Sequence, residues 1–339
     1  MTEPLLPIRH PNADFFICDL GDVIPKSDIA SMEHPLFTLS TKPDTAIRHY
    51  ENNGNSVTIT PSVLGLATIH DKDILIYCIS QLMAGINKGN PPSKNIGFKS
   101  HDLLVTTNRQ TGGEAYARLT QSFERLSGTR IQTNIKTNGQ TIVKGFGLIE
   151  SYEIIYDDPE TKNRMISIEV TISDWLYNSV LGKEVLSINR AYFRLRKPIE
   201  RRIYEIARKH CGNQDKWHIS LENLHKKVGS SGTIKKFKES LNHIIKHGHL
   251  PDYAVSLELG NVVFSYTGKR DVFRDDDDSI FLKPDTIEKA KQILGRQYDV
   301  YALESEWFEF WKSSGKPELK TPDGAFINFC RTKIERNRR

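Results

Sequence analysis

The sequence lacks the features that mark secreted, membrane-spanning and disulfide-rich proteins. Its four cysteines, Cys18, Cys78, Cys211 and Cys330, are far apart and form no CxxC pair. Neither a disulfide framework nor a zinc ribbon is expected, and a reducing cytoplasm suits the chain. The first residues contain no basic stretch followed by an apolar one, so we predict no signal peptide. No run of 18 apolar residues predicts a membrane span.

Motifs for nucleotide hydrolysis, DNA nicking and metal binding are missing as well. There is no GxxxxGK[ST] phosphate loop. His247 and His249 flank a glycine, whereas rolling-circle nickases place a bulky apolar residue between two histidines. His243 and His247 could bind zinc, but no further ligands follow at a suitable spacing. Asp71 and Asp73 are explained by a helix N-terminus. We therefore expect no catalytic residue, no metal site, no cofactor and no enzymatic activity.

Positive charge is concentrated in one part of the chain. The whole sequence has a net charge of +5, whereas residues 189–248 carry 15 Lys and Arg against 5 Asp and Glu, a net of +10. Within this part, LRKPIERRIYEIARKHC holds six basic residues and two acidic ones. Two interpretations remain open. The helix has a solvated face with ion pairs from Glu205, or it borders a surface that contacts a polyanion such as nucleic acid.

The order of predicted elements occurs twice. Residues 67–156 contain an amphipathic helix, a short strand, two helices and a hairpin around Asn138-Gly139. Residues 198–266 repeat this order, with the hairpin around Gly260-Asn261. The order is typical of a winged helix. We predict an α+β fold with two tandem winged-helix domains and a small helical C-terminal extension.

The predicted boundaries divide the chain into five parts. They are an N-terminal arm at 1–60, a first winged-helix domain at 61–160, a second at 161–268, an acidic linker at 269–282 and a helical C-terminal domain at 283–339. In the last part, Trp307, Phe310 and Trp311 recur at helical spacing. This spacing suits a small core, the commoner case, or a groove on a partner protein.

Candidate DNA-contacting residues follow from this interpretation. In a helix-turn-helix the second helix enters the major groove, and its solvent face contacts bases. In the first domain this helix spans about residues 113–127, and Arg and Gln suit guanine and adenine edges. An ordinary solvated helix would be polar at the same positions. The candidates are Arg109, Thr111, Arg118, Gln121 and Arg125, together with Lys136 and Lys144 of the hairpin.

In the second domain the corresponding helix spans about residues 233–247. Hydroxyl groups and backbone amides at a helix start can hold a phosphate, although Ser231 or Thr233 would also serve as a plain N-cap. The candidates at this helix are Lys226, Lys227, Ser230, Ser231, Thr233, Lys235, Lys236 and His243. Further phosphate contacts are expected from Arg190, Arg194 and Arg202.

Several longer stretches resemble those of a known family. They are SMEHPLFTLSTKPD, YENNG, ITPSVLGLATIHDKDILIYCISQL, LRKPIERRIYEIARKHCG, KKVGS and LPDY. In this order they resemble the replication initiator protein A family of proteobacterial plasmids, over about residues 14–266. The resemblance implies binding of double-stranded DNA at repeats of the plasmid origin, opening of the adjacent duplex, and recruitment of a host initiator or helicase. Related initiators also repress their own promoter as homodimers. The resemblance supplies no catalytic residues.

Three functions therefore remain to be compared. The first is an initiator that binds origin repeats, and the second is a transcriptional repressor of the same fold acting on its own promoter. The third, which the motifs do not favour, is an enzyme that nicks the origin. The helical C-terminal part separates the first two, because a simple repressor does not need it.

Overall fold

A computed structural model describes residues 4–10, 26–28, 32, 34–52, 55–133, 144–157, 165–182, 184–212, 214–258, 260–267, 282, 284–294, 300–314 and 321–336. The chain divides into two compact units, residues 1–270 and 271–339. No helix in the described ranges is long and apolar enough to cross a membrane.

The first unit contains strands and helices in alternation. Its strands are β1 (Lys26–Asp28), β2 (Arg48–Asn52), β3 (Asn55–Thr60), β4 (Asn95–Lys99), β5 (Arg130–Thr133), β6 (Lys144–Gly147), β7 (Ile149–Tyr156), β8 (Met165–Ile172), β9 (Val185–Ser187), β10 (Lys216–Ser220), β11 (Tyr253–Glu258) and β12 (Asn261–Tyr266). Its helices are α1 (Lys72–Asn87), α2 (Ser100–Thr106), α3 (Gly113–Gly128), α4 (Asp174–Leu181), the 3₁₀-helix Arg190–Arg194, α5 (Pro198–His210), α6 (Leu221–Val228) and α7 (Ile234–His247). All these strands pair antiparallel, which confirms the predicted α+β class.

One arrangement of elements occurs twice in this unit. In the first repeat, α1, β4, α2 and α3 are followed by the hairpin β7–β8, and the sheet order is β4-β8-β7. In the second repeat, α5, β10, α6 and α7 are followed by β11–β12, and the sheet order is β10-β12-β11. The strand between the first two helices thus pairs with the last strand in both repeats.

The first repeat differs from the prediction in its hairpin and in its end. The predicted hairpin pairs β5 with β6, but these strands extend the sheet β2-β3-β5-β6. The hairpin that corresponds to β11–β12 is β7–β8. The predicted boundary between residues 160 and 161 is also wrong, because β8 lies between β4 and β7. The same hydrophobic core continues to Val185, and so the first repeat needs residues beyond 160 to complete its sheet.

Each repeat has its own hydrophobic core, and α1 contributes to both. Ile74 and Cys78 of α1 belong to the first core, whereas Ile76 belongs to the second. The second core is centred on Tyr192 and Tyr204, whose ring centroids lie 5.6 Å apart. Because α1 is buried on nearly every side, it connects the two repeats into one body.

Local signals explain the ends of the helices in the second repeat. Pro198 occupies the first turn of α5, where its missing N–H costs no hydrogen bond. The hydroxyl of Thr233 accepts a hydrogen bond from the backbone N–H of Lys236 and so caps α7. Gly229 and Gly248 end α6 and α7 in the left-handed conformation, with φ of 72° and 55°.

The second unit consists of three described helices around a separate core. They are α8 (Pro284–Leu294), α9 (Val300–Ser313) and α10 (Pro322–Arg336). Trp307 of α9 packs on Phe326 of α10 with ring centroids 5.5 Å apart. Trp307 therefore belongs to the core, whereas Phe310 is 59% exposed. The acidic linker predicted at 269–282 lies outside the described residues, except for Leu282.

Candidate nucleic-acid interface

The helix α3 has a buried face and an exposed polar face. Leu119, Phe123 and Leu126 are fully buried. Arg118 and Gln121 are exposed on the other side, and Arg118 forms an ion pair with Glu114 one turn earlier. Thr111, just before the helix, is partly exposed. Of the predicted residues of this helix, Arg118 and Gln121 are placed where a base edge could meet them.

Arg109 and Arg125 form ion pairs within the protein and stay partly exposed. Arg125 donates from Nε and Nη2 to the two carboxylate oxygens of Asp71, at 2.7 and 2.8 Å. Arg109 lies 3.2 Å from Asp73 and donates to the His70 carbonyl oxygen. Their guanidinium groups anchor α3 and its preceding turn to the start of α1. DNA contact by these two residues stays a prediction.

A cavity of about 520 Å³ runs along α3. One wall is formed by Arg118, Gln121 and Arg125, and another by residues 40–43 with Leu64 and Leu66. The lining contains six Lys and Arg residues against two aspartates. Since opposite charges attract most strongly where a concave wall excludes water, this side of α3 favours an anionic partner.

A segment of residues 4–10 crosses both repeats next to this cavity. The backbone N–H of Leu6 donates to the Arg194 carbonyl at 2.8 Å, and Arg194 Nε donates to the Leu6 carbonyl at 2.9 Å. At its other end, the Arg9 N–H donates to Asn108 Oδ1 at 2.9 Å. The His10 ring lies 2.7 Å from the Arg109 carbonyl oxygen, in the turn between α2 and α3. Arg194 was predicted to bind phosphate, but its Nε binds this segment.

The basic helix α5 directs much of its charge inwards. Arg201, Arg202 and Arg208 are no more than 8% exposed. Arg202 donates to the carbonyl oxygens of Met32 and Lys227, at 2.9 and 3.1 Å, and lies 3.2 Å from Glu205. The predicted phosphate contact from Arg202 is therefore wrong. Of the two interpretations of this stretch, its internal ion pairs account for these arginines, and no solvated face is needed for them.

Two buried carboxylates, Asp73 of α1 and Glu205 of α5, form ion pairs with basic side chains of these helices. Lys72 Nζ lies 2.8 Å from Glu205 Oε1, and Asp73 Oδ1 lies 2.6 Å from Arg201 Nη1. The Tyr192 hydroxyl also donates to Glu205 at 2.9 Å. Sequence reasoning attributed Asp71 and Asp73 to the helix dipole and missed this cluster. The available signal was a lysine between two aspartates at the start of a helix that is otherwise apolar.

The start of α7 and the end of α6 form an exposed basic surface. Lys226, Lys235, Lys236, Ser231 and Thr233 are exposed, whereas Lys227 and Ser230 are partly exposed. The turn between the helices is braced, since the His225 ring lies 2.8 Å from the Gly232 carbonyl oxygen. The ammonium groups and hydroxyls therefore lie on this turn and on the helix ends beside it, where side chains of these types could contact phosphates.

Four further predicted residues remain, and one of them lies outside the described residues. His243 of α7 is partly exposed, and its ring lies 3.3 Å from Lys197 Nζ. Partial burial and this ammonium group lower the pKa of His243 and so disfavour its charged form. Arg190 is partly exposed in the 3₁₀-helix. Lys144 begins β6, whereas Lys136 lies outside the described residues. No group of three or more His, Cys, Asp or Glu in the described ranges is arranged to hold a metal ion.

Comparison with known proteins adds a family and a fold. The model of the family "Replication initiator protein A" matches residues 26–255. The "Putative replication protein" of Wigglesworthia glossinidia brevipalpis is 40% identical over 259 residues, which cover 75% of this chain and 93% of that protein.

Two solved structures of domains 2 and 3 of RctB are similar to the chain. The selenomethionine derivative has a TM-score of 0.51 at 12% identity and covers 69% of this chain and 95% of that chain. The other has a TM-score of 0.48 at 12% identity, with 68% and 94% covered. At this identity the likeness concerns the fold alone. The family match extends over most of the first unit, and the chain belongs to the replication initiator protein A family.

Proposed function

We propose that this chain initiates plasmid replication by binding repeated sites on double-stranded DNA at the plasmid origin. Family membership supports the proposal. The structural observation that carries it is the repeated helix–strand–helix–helix–hairpin arrangement, in which α3 and α7 each present exposed polar residues. We assign both repeats to the winged-helix class. In this class the second of two consecutive helices enters the major groove. We name α3 and α7 the reading helices.

The two reading helices have different roles in this proposal. Arg118 and Gln121 of α3 contact base edges, because Arg and Gln form paired hydrogen bonds with guanine and adenine. Lys226, Lys235 and Lys236 around the start of α7 contact phosphates and supply affinity that does not depend on sequence. The first repeat thus contributes most of the specificity.

Opening of the duplex and recruitment of host replication proteins complete the proposed activity. We assign recruitment to the unit of residues 271–339, which has its own core and the exposed Phe310. Deletion of residues 280–339 should leave the protection of origin DNA unchanged and abolish plasmid replication. If replication persists without these residues, recruitment does not depend on this unit.

The proposed activity contains no bond-breaking step. The side chain of His249 is 3% exposed and lies 3.1 Å from Glu200, which is a poor position for a nuclease ligand. Incubation of supercoiled origin DNA with the protein and a divalent metal ion should give neither nicked DNA nor a covalent adduct. A covalent protein–DNA adduct would establish a nicking enzyme instead.

Footprinting on DNA that flanks the gene, at physiological salt with competitor DNA, tests the central proposal. Protection of several direct repeats at helical-turn spacing, beside an AT-rich stretch, is the expected result. Protection confined to one inverted repeat over the promoter would indicate a dimeric repressor. Absence of protection would contradict specific DNA binding altogether.

A further inference from the structure

A continuous chain of buried and partly buried contacts runs from the first reading helix to the turn before the second. It begins at Arg125 in the last turns of α3, which holds Asp71 through two hydrogen bonds of 2.7 and 2.8 Å. The next residue, Lys72, lies 2.8 Å from Glu205 of α5. Glu205 lies 3.2 Å from Arg202, whose Nη2 donates to the Lys227 carbonyl at 3.1 Å. Lys227 is in the last turn of α6, directly before the turn that leads to α7.

A parallel branch anchors the other end of α3. Asp73 lies 2.6 Å from Arg201 of α5 and 3.2 Å from Arg109 in the α2–α3 turn. One carboxylate thus contacts both repeats. The side chains of Asp73 and Arg201 are 2% and 3% exposed, so solvent ions screen the pair much less than an exposed pair.

The first residues of α5 also contact the second reading helix, α7. Lys197 Nζ lies 3.3 Å from His243 of α7. Glu200 lies 3.1 Å from His249, immediately after α7. The first turn of α5 therefore contacts α7, and its middle contacts α1.

Such a cluster has its main effect on orientation. A buried ion pair often stabilises a protein no more than an apolar pair of similar volume, because both ions lose their hydration. Its geometry is restrictive, however, since a displaced partner leaves a buried charge without its counter-charge. Apolar contacts between α1 and the second core tolerate small shifts more readily.

We infer that the buried cluster of Asp71, Lys72, Asp73, Arg201, Arg202 and Glu205 sets the register between the two reading helices, and thereby the spacing of DNA that one chain accepts. The inference rests on the proposed function for its DNA part. These six are positioning residues, because none of them contacts DNA in this proposal.

Spin labels on the reading helices test the register without DNA. The labels are placed at Gln121→Cys and Lys235→Cys with Cys18 replaced by serine, since the other three cysteines are buried. The variant is Lys72→Met with Glu205→Leu, which removes one charge of each sign and keeps apolar volume. Its matched control is Lys94→Met with Glu150→Leu, an exposed pair 3.9 Å apart. A single narrow distance distribution is expected for the parent and the control, and a broad or displaced one for the variant.

The second arm uses the duplex protected in the footprint, with one base pair inserted or deleted between the parts covered by the two repeats. Each step moves one part by about 3.4 Å and about 35° relative to the other. The parent and control should lose roughly tenfold to a hundredfold in affinity, as for a mismatch, and the variant clearly less.

The two arms separate the inference from the proposed function. Equal distance distributions in all three proteins overturn the inference, whatever the DNA results. Equal loss of affinity in parent and variant also overturns it. If the labels respond as expected while no DNA is protected, the register is set by the cluster and only the DNA function fails. A variant that does not fold is replaced by Asp73→Asn with Arg201→Gln, with the same criteria.

Discussion

The ammonium group of Lys72 lies 2.8 Å from Glu205 Oε1, and both side chains are 1% exposed. These residues are 133 positions apart and belong to the first helices of the two repeats. Glu205 also accepts hydrogen bonds from Tyr192 and Arg202. The carboxylate therefore has several donors in place of the water that it loses on burial, as a buried ion requires.

Removal of Glu205 should destabilise the first unit strongly. Glu205→Ala leaves Lys72 and Arg202 buried without their counter-charge, which costs about 3–5 kcal/mol in the free energy of unfolding. Urea denaturation followed by tryptophan fluorescence measures the loss. Glu114→Ala is the control, because Glu114 pairs with Arg118 on an exposed surface, and its loss should stay below about 1 kcal/mol. Similar losses in both variants would contradict the structural role of Glu205.

Gln121 and Arg125 should respond differently to replacement by alanine. Gln121→Ala should weaken specific DNA binding by about 1–3 kcal/mol without a change in unfolding free energy. Arg125→Ala should instead lower the unfolding free energy by about 3 kcal/mol, because Asp71 loses its buried partner. Competition binding with random DNA, together with urea denaturation, separates the two effects. If Gln121→Ala weakens specific and random binding equally, Gln121 does not contact a base.

The lysines around the start of α7 should control the salt dependence. Alanine at Lys226, Lys235 or Lys236 should each reduce the slope of log Kobs against log salt by about 1, on specific and random DNA alike. Lys94→Ala is the control, since Lys94 pairs with Asp174 on the first repeat. An unchanged slope in the three variants would remove these residues from the phosphate surface.

The imidazole of His70 should make the protein less stable in acid. Burial, with the guanidinium groups of Arg201 and Arg109, lowers the pKa of His70 to about 2. The unfolded chain, with a pKa of about 6.5, binds a proton between these values that the folded chain does not. The unfolding free energy therefore falls as the pH drops below about 6.5, by up to about 1.4 kcal/mol per pH unit. Above about pH 6.5 the protonation of His70 makes no contribution to the pH dependence of the unfolding free energy.

Urea denaturation of the parent and His70→Gln at about pH 7.5, 6 and 5 measures this contribution. In the His70→Gln variant, the unfolding free energy should fall less steeply below about pH 6.5 than in the parent. The same slope in both proteins would show that another group causes it.

The features that the sequence predicted most accurately are those determined by residues close together in the chain. Thr233, Gly229 and Gly248 act within one turn of their own helices, and the predicted span of the second reading helix, about residues 233–247, is confirmed. The predicted second domain, residues 161–268, wrongly includes β8, because the partners β4 and β7 of this strand are selected by packing and not by local sequence. Alternation along β8 shows that one face is buried and does not show against which sheet.

The arginines were the least predictable part of the candidate site. Arg125 and Gln121 are four positions apart on α3, and both suit a base edge. Only the fold reveals that Asp71 lies beside Arg125, whereas Gln121 remains exposed. Arg202 lost its predicted role for the same reason, since its carbonyl partners, Met32 and Lys227 at the end of α6, come from distant parts of the chain.

The segment of residues 4–10 has a consequence for synthesis of the protein. Leu6 pairs with Arg194, 188 positions later, and Arg9 with Asn108. At about 5–20 residues per second, a ribosome needs roughly 10–40 s to make the chain between Leu6 and Arg194. The segment beside the α2–α3 turn is therefore made well before Arg194 and takes its final place only after the chain between them exists. A nascent chain shorter than about residue 195 presents this turn without the complete set of contacts made by that segment.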